Sequence, residues 1–572
     1  MKKILFSTLI VNSLVAGDLA NPDDFNLLKS FGPPKPIMPK TAQSIMLKNQ
    51  FDHTNREEYF NITKNIDNRL RPLKFTSGFY GKSFYDSILF QARGANFYSL
   101  ANINFTKANS YEDGAADRVD FGYERFNQAL ILGFVPNEFS ESKFVFLHDN
   151  IKDEKQPEHT TDPVKTERFI YKFDTRIGEE DLSNTLRLGF KFRDIKRRSN
   201  NFELRKPKPT KPKMFVKVDR KIYDFDVNYD NTFKNFHNKI GFAYKKDELV
   251  GKRYRKMPSK DILNAYRFPD LDMKKFVFKD EISYKFNEMN KLALGVNYEI
   301  NKVKANKFDA KLKSPIPSMP FFPNAKMLYK KYYGIDFDGK KNKNAFSIES
   351  KYEFKPNDLQ KYSLNFGQIQ RIGDETQRFN SLFGPKSNPD KGIIGNPNLE
   401  NEKHNFIKFS SKIKNNAYKG YLNSIYGDGL SFGSSLMFDE VKNLIIFDRA
   451  RKQAGIKQND KAVIFRNVDA RIITASAFAK YNFTSNFASS IKIFYAYGQN
   501  KDDSRALYQI RPFEANLNFD YKDYFSLGTY SVGSAVRLVS KQHRTDENKD
   551  KGLGIDRNVG GFALFDAYAG LN

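Results

Sequence analysis

A run of oxygen-bearing side chains between residues 223 and 230 is the first feature of the sequence that could bind a cation. The stretch YDFDVNYD places an acidic or amide side chain at every second position, and hard cations such as Ca²⁺ need clustered oxygen ligands. An EF-hand calcium loop requires Gly at its sixth position and Glu at its twelfth, where this chain has Tyr229 and Asn235. We therefore favour a β-strand with one water-facing side over a calcium loop.

Two glycine-containing stretches match nucleotide-binding motifs only in part. YGKS, beginning at Tyr80, ends like a phosphate loop, but the first glycine of that motif would fall at Thr76. GLGIDR, from Gly552, has Arg557 where a dinucleotide-binding turn requires its third glycine. Neither stretch predicts a nucleotide site.

The histidines are widely separated in the sequence, at positions 53, 148, 159, 237, 404 and 543. They form no HExxH motif, and no Ser, His and Asp arrangement can be read from their spacing. We expect solvated loop histidines, no catalytic residues and no resident cofactor. The chain is predicted not to be an enzyme.

Alternation of apolar and polar residues is the repeated signal along the chain. In an extended segment, residues two apart share a face, so 223–230 has an apolar face and a polar face. The same period recurs around 292–300 and 346–354. The apolar members of these segments are Tyr223, Phe225, Val227, Tyr229, Leu292, Leu294, Val296, Tyr298, Ile300, Phe346, Ile348, Tyr352 and Phe354.

The connections between these strands come in two sizes. Short ones include those at Asn287, Lys355 and Thr484, and long polar ones fall near 149–165, 205–215, 371–404, 498–511 and 540–560. Short turns at one rim and long loops at the other are typical of outer-membrane barrels. We predict an all-β protein, a large antiparallel transmembrane β-barrel of about 20 strands from residue 73 onward. Its lumen would be too wide for side chains to fill.

The composition agrees with a folded, basic protein. Aromatic residues make up 15% of the chain, which excludes a mainly disordered protein, and the formal net charge is +28. Such a charge attracts phosphate, from nucleic acid or from a lipid surface. Cysteine is absent, so disulfides and thiolate metal sites are excluded.

The N-terminus resembles an export signal. MKKILFSTLIVNSLVAG has two lysines, an apolar stretch and small residues near Gly17, which predicts a signal peptide over residues 1–17. Export argues against nucleic acid as a partner. No later segment is apolar enough for a membrane helix, so contact with a membrane would use strands or a surface.

The stretch GIIGNPNLENEKHNFIKFSSKI, from Gly392, resembles the barrel signature of TonB-dependent receptors. Asn396 and Pro397 would form its turn, Leu399 would anchor it, and strand alternation resumes at Phe406. Further segments, in order, resemble the TonB-dependent copper receptor family over roughly residues 75–572. They begin at Tyr111, Met214, Phe465, Ala496, Arg537 and Val559.

The resemblance implies an outer-membrane barrel of about 22 strands, filled by an N-terminal plug and opened by energy delivered through TonB. It also implies copper as the transported cargo, bound by sulfur and imidazole ligands, which suit Cu(I). The expected function is outer-membrane uptake of a scarce nutrient, by resemblance copper ion. Outer-membrane lipids and lipopolysaccharide are expected partners, and we expect a monomer.

The sequence departs from the family at both ends. Residues 18–72 are a short N-terminal segment without a recognisable plug or TonB box, so TonB is an expected partner only if a plug is supplied elsewhere. Residues 73–572 are the barrel domain, and we expect it to be incomplete at the C-terminus, because ALFDAYAGLN resembles the third-last strand.

The metal-ligand positions that the resemblance implies also differ. The family's His-x-Met pair aligns with Arg197 and Ser199, neither of which provides a soft ligand. Met214 remains a weak thioether candidate. Two alternatives to the receptor stay open: a plugless pore or decayed receptor fragment, and a basic surface protein that binds lipopolysaccharide or host polyanions.

Overall fold

The computed structural model describes residues 73–571, apart from 81–82, 113–117, 138, 156–160, 180–183, 206–211, 318, 386–388, 416–428, 509, 526–527 and 547–559. The predicted signal peptide, 1–17, and the segment 18–72 lie outside the described residues. Among the residues described, no helix is long and apolar enough to cross a membrane.

One antiparallel sheet contains almost all of the regular structure. It has 23 strands, and three of them are two-residue pieces from loops, which leaves twenty long strands. The prediction of an all-β protein with about 20 strands is confirmed. The long strands are β1 (Leu73–Tyr80), β2 (Ser83–Arg93), β3 (Phe97–Ala108), β4 (Gly122–Asn137), β5 (Ser140–Lys155), β6 (Asp162–Gly178), β7 (Asn184–Asn200), β8 (Met214–Phe233), β9 (Phe236–Arg255), β10 (Ile262–Lys285), β11 (Asn290–Ala305), β12 (Lys340–Asn357), β13 (Gln360–Arg371), β14 (Glu402–Asn415), β15 (Gly429–Arg449), β16 (Val463–Asn482), β17 (Phe487–Asn500), β18 (Glu514–Phe525), β19 (Gly528–Val539) and β20 (Phe562–Leu571).

Each long strand pairs antiparallel with the next one in the chain, as in a meander. One rim carries tight turns, such as 234–235 and 286–289, and the other carries the long connections. The tight turns have a local cause. At the turn 286–289, the Asn287 side-chain oxygen accepts hydrogen bonds from the backbone N–H groups of Met289 and Asn290, both at 2.9 Å. The long loop predicted at 149–165 is shorter in the structure, because β5 continues to residue 155 and β6 begins at residue 162.

The two faces of the sheet differ as the alternation predicts. On β8, Phe225 and Tyr229 are each 42% exposed, whereas Arg220 and Asp230 are 3% and 8% exposed. The outer face repeats this pattern across neighbouring strands, where Phe242, Phe278 and Tyr298 lie in one cross-strand row and are exposed. Such a continuous exposed apolar band fits a lipid-facing surface.

Two long loops turn toward the inner face and pack against it. The connection 306–339 contains helix α1 (Ala325–Tyr333), and the connection 372–401 contains helix α2 (Glu375–Phe379). Their apolar residues join inner-face residues of β7–β11 in one buried cluster that includes Ile222, Phe268 and Tyr329. We call these two loops the inner cap.

Helix α1 has signals at both of its ends. The Asn324 side chain accepts a 3.0 Å hydrogen bond from the backbone N–H of Met327, and Gly334 ends the helix at φ 75°. Asn is a favoured N-cap residue, and glycine adopts a positive φ without strain. The two-residue alternation of apolar and polar residues predicted strands but not this helix. One short helix hardly changes that pattern along the chain.

Replacing Asn324 by alanine should lower the stability of α1 by about 1 kcal/mol, because the amide of Met327 loses its acceptor. Hydrogen exchange of the amides in α1 measures this effect, and Asn324→Ser, which keeps a capping oxygen, is the control. Equal protection of α1 in the two variants would contradict the capping role.

Candidate functional site: the polar inner wall and its cap

The polar inner face of the sheet, which we call the inner wall, carries charged groups that are almost fully buried. On β8, the Arg220 guanidinium donates to Asp247 of β9 through Nε at 2.8 Å and through Nη2 at 2.6 Å. Its third nitrogen, Nη1, donates to Glu375 Oε1 of α2 at 2.9 Å. A bidentate arginine–carboxylate pair is among the strongest charge-assisted contacts. Arg220 therefore connects the wall to the inner cap.

A second arginine, Arg378 of α2, lies between the cap and the wall. It is buried to below 2% exposure, its Nη1 donates to Asn301 of β11 at 3.1 Å, and its guanidinium carbon lies 4.8 Å from the Phe379 ring centroid. Among the described residues its Nε and Nη2 have no hydrogen-bond partner. Burial lowers the pKa of the Arg378 guanidinium to about 10, so it stays charged at neutral pH.

Tyrosine hydroxyls connect the loops of the cap to one another. Tyr329 of α1 donates to the backbone oxygen of Phe379 at 2.9 Å, which joins the two cap loops. Tyr332 donates to Asp460 at 2.7 Å, which adds the connection 450–462. Burial raises the pKa of both tyrosines well above 10, so both hydroxyls remain donors at neutral pH.

The stretch that resembles the barrel signature lies at this cap. Leu399 is 2% exposed and packs in a second buried cluster with residues of β15 and β16, which confirms its predicted anchoring role. Asn396 donates from its backbone to the oxygen of Gln377 at 2.8 Å and from its side chain to the oxygen of Phe465 at 3.3 Å. The turn therefore holds α2 against β16.

The prediction of solvated loop histidines is wrong for His148, His237 and His404, which lie in strands β5, β9 and β14. His404 is 3% exposed on β14, with Nδ1 2.8 Å from Asp439 and Nε2 3.3 Å from Glu402. Glu402 also accepts a hydrogen bond from Arg371 Nε at 2.5 Å. Sequence spacing did not predict this network, because its members come from three different strands. Of the other histidines, positions 53 and 159 lie outside the described residues.

The acidic row at 224–230 pairs with cations of the wall rather than forming a calcium site. Asp224 accepts from Arg193 Nη2 at 2.5 Å, and Asp230 lies 3.4 Å from Arg187 and 3.6 Å from Lys239. A strand with a polar inner face, as predicted, accounts for this row.

The three residues considered as metal ligands lie at the same end of two paired strands, β7 and β8. Arg197 and Ser199 lie near the end of β7, opposite Val218 and Val216 of β8, and Met214 is the first residue of β8. Arg197 is 5% exposed. The described residues contain no group of three or more His, Cys, Asp or Glu residues that could hold a metal ion. The candidate ligands remain predictions.

The residues that connect the cap to the wall were not predicted from the sequence. Glu375 and Arg378 belong to α2, whose start carries a recognisable signal. The segment 374–377 reads DETQ, and the structure shows the corresponding capping box between Asp374 and Gln377. That motif predicts a helix start, but not that Glu375 would meet Arg220, 155 residues away.

Changing Glu375 to glutamine should loosen the inner cap. The variant weakens a partly buried, charge-assisted hydrogen bond to Arg220, which costs about 2 kcal/mol. Hydrogen exchange should rise in the connection 372–401, while the wall strands keep their protection.

Glu400→Gln is the matched control, because Glu400 lies in the same connection and its 3.1 Å ion pair with Lys343 is solvent-exposed on the Glu400 side. Exposed pairs contribute about 0–1 kcal/mol. If both variants loosened the loop equally, Glu375 would have no special anchoring role.

The fold recurs in solved structures. The copper transporter OprC superposes with a TM-score of 0.70 at 19% identity, covering 88% of this chain and 74% of that one. The hemophore receptor HasR of Serratia marcescens, in complex with its hemophore HasA and heme, has a TM-score of 0.64 at 12% identity, covering 87% and 74%. The ferric yersiniabactin uptake receptor FyuA from Yersinia pestis has a TM-score of 0.59 at 10% identity, covering 86% and 70%. At these identities the similarity shows a shared fold.

Sequence comparison identifies the family. No curated protein shows significant sequence similarity to the chain. The family model "TonB dependent receptor-like, beta-barrel" matches residues 102–572, which confirms the resemblance seen from Gly392. The chain therefore belongs to the TonB-dependent receptor-like β-barrel family.

Proposed function

We propose that the protein is an outer-membrane receptor that takes up a scarce nutrient, with copper ion as the cargo. The observation that carries the receptor function is the family match over 102–572. The sheet, which is apolar outside and polar inside, agrees with it. Members of this family are outer-membrane receptors and transporters, not enzymes. In a membrane, the apolar face contacts lipid and the polar face lines the transport path.

The inner cap suits a receptor better than an open pore. A receptor binds its cargo on the outer side and then needs energy to open, whereas a pore needs a clear path. The contact of Arg220 with Glu375 holds the loop 372–401 against the inner wall, and the contact of Tyr329 with Phe379 joins the loop 306–339 to it. TonB would supply the energy through a plug, which residues outside the described range or another chain would have to provide.

Copper as cargo rests on the resemblance in sequence and on the fold shared with a copper transporter. Of the three candidate ligand residues, Met214 is the one with a soft ligand atom, because a thioether binds Cu(I) whereas a guanidinium or a hydroxyl does not. Arg197, at the same end of β7 and β8, repels a bare cation. Copper would therefore need ligands besides Met214.

A second candidate cargo is an anionic metal chelate. The two nitrogens of Arg378 without a partner among the described residues support it, since a buried guanidinium favours an anionic ligand. In this case the arginines would bind the carboxylate or phenolate groups of the chelate, and the protein would not contact the metal.

Full-length protein refolded in lipid should bind Cu(I), and Met214→Leu should weaken binding at least tenfold. Titration against a chromophoric Cu(I) chelator under reducing conditions measures the affinity. Met289→Leu is the control, because Met289 lies exposed in the turn at the opposite rim. Affinity no better than that of an unrelated porin would exclude copper.

If the cargo is an anionic chelate, ferric citrate should bind to the wild-type protein and about tenfold more weakly to Arg378→Gln, because a charge-assisted contact is lost. Isothermal titration in detergent provides the measurement, and Arg511→Gln at the exposed rim is the control. Equal binding by both variants and the wild type would remove Arg378 from the cargo site.

A further inference from the structure

The first and last long strands of the sheet each have a neighbour on one side only. Within the described strands, β1 pairs with β2 alone and β20 pairs with β19 alone. At the edge of an antiparallel sheet, every second residue directs its N–H and C=O groups to the free side. The bilayer interior contains no water that could bind these groups, so an edge placed there needs a protein partner. The free edges of β1 and β20 are therefore surfaces to which further strands can pair.

The side chains of β1 also indicate an uncovered surface. Leu73 and Phe75 lie on the outer face, opposite Phe90 and Ile88 of β2. They are 61% and 66% exposed, whereas Phe225, which has a strand on each side, is 42% exposed. A strand beside β1 would cover part of this additional apolar surface.

The directions of the two edge strands determine what can pair with both. Leu73, the first residue of β1, pairs with Phe90, near the short turn 94–96. Leu571, at the end of β20, pairs with Tyr530, near the start of β19. β1 therefore begins, and β20 ends, at the rim with the tight turns, and the two strands run in opposite directions. One inserted strand would be parallel to one of its neighbours, whereas a hairpin of two strands is antiparallel to both.

Two segments shortly before β1 have the pattern of such strands. Residues 43–51 read QSIMLKNQF and residues 58–66 read EYFNITKNI; both lie outside the described residues. Each segment has nine residues, close to the 8 of β1 and the 10 of β20. In each, one set of alternate positions is mostly apolar and the other mostly polar, as expected for a strand with one face toward lipid. The apolar side chains are Ile45, Leu47 and Phe51 in the first segment and Phe60, Ile62 and Ile66 in the second.

We propose that residues 43–51 and 58–66 form a β-hairpin that pairs with β1 on one side and with β20 on the other. We call it the N-terminal hairpin. The connection 67–72 would then be a short turn at the rim where β1 begins, and 52–57 would lie at the opposite rim. The short connection to β1 favours this segment over a separate chain, because it holds the hairpin at a high effective concentration beside the edge. The inference rests on the proposed membrane placement, since in water a free edge can bind solvent instead.

The faces of the strands limit the register of the hairpin. Pairing of Ile66 with Leu73 across the connection 67–72 places Ile62 opposite Ser77. In this register the apolar set of 58–66 lies on the outer face together with Leu73 and its neighbours. A shift by one residue would turn that set toward the polar interior.

Disulfide trapping tests the pairing with β1, because the chain contains no cysteine and an introduced pair has no competitors. The protein is used at full length, refolded into lipid vesicles and oxidised with diamide. Ile62→Cys/Ser77→Cys places both thiols on the outer face at opposed positions. Asn61→Cys/Ser77→Cys is the matched control, since residue 61 is as close in sequence but faces inward in the proposed strand. Mass spectrometry of unreduced peptides measures the rate of disulfide formation.

The pairing with β20 is tested in the same way. In β20, Ala567 lies on the same face as the exposed Phe565. Leu47 and Ala567 would lie at a similar height above the rim with the tight turns. Leu47→Cys/Ala567→Cys is therefore the test pair, and Met46→Cys/Ala567→Cys is its control.

The two test pairs should form disulfides at least about tenfold faster than their controls, because opposed residues on one face meet the geometric limits of a disulfide. Equal rates for a test pair and its control would overturn the hairpin, since an unpaired segment presents both positions alike. Ser77→Cys/Ala567→Cys examines the other occupants of the edges. An intramolecular disulfide would show that β1 and β20 meet directly, and a disulfide-linked dimer would show that a second copy pairs with them; either result overturns the proposal.

Insertion into the vesicles separates this inference from the receptor function. If the wild type fails to insert, the outer-membrane placement is wrong and the hairpin inference fails with it. If the wild type inserts and the test pairs react no faster than their controls, the hairpin alone is wrong.

Discussion

The structure depends on one constraint: a sheet between lipid and water must satisfy every backbone group within itself while presenting a different chemistry on each face. Antiparallel pairing of each strand with its sequence neighbour meets the first demand. The period of two meets the second, because a shift by one residue would turn Asp224 toward lipid and Phe225 toward the interior. These two demands explain why the sheet is antiparallel and why it has an apolar outer face and a polar inner face.

A wide polar interior creates the second physical problem, because charged groups in a partly dry space need partners. The wall solves it with cross-strand ion pairs, such as that of Arg220 with Asp247. The inner cap adds contacts from loops, and its apolar residues turn part of the polar lumen into a buried cluster. Pairing is incomplete at several groups, among them Arg378, two of whose buried nitrogens lack partners among the described residues. A buried charge that is incompletely paired costs stability, which is why it is a candidate for binding an anionic cargo.

The proposals for the edges and for the interior of the sheet both start from polar groups that lack partners among the described residues. At the free edges of β1 and β20 these are backbone groups, which a strand pairs through its own backbone. Within the cap, Arg378 offers a fixed planar guanidinium, which suits one defined ligand. Among the proteins that share this fold, OprC is a copper transporter, HasR a hemophore receptor and FyuA a ferric yersiniabactin uptake receptor.

Alternation from Tyr223 to Asp230, together with the two sizes of connection, was enough to predict the all-β sheet, its strand number and the side of each strand that faces water. These features are local, because the period of two acts within one strand. The Gly392 stretch predicted the family and the anchoring of Leu399. The sequence did not predict the buried network of His404 or the contact of Glu375 with Arg220. Each of these joins residues that are distant in sequence, and only strand register and loop docking bring them together, since register depends on how neighbouring strands pair and not on either strand alone.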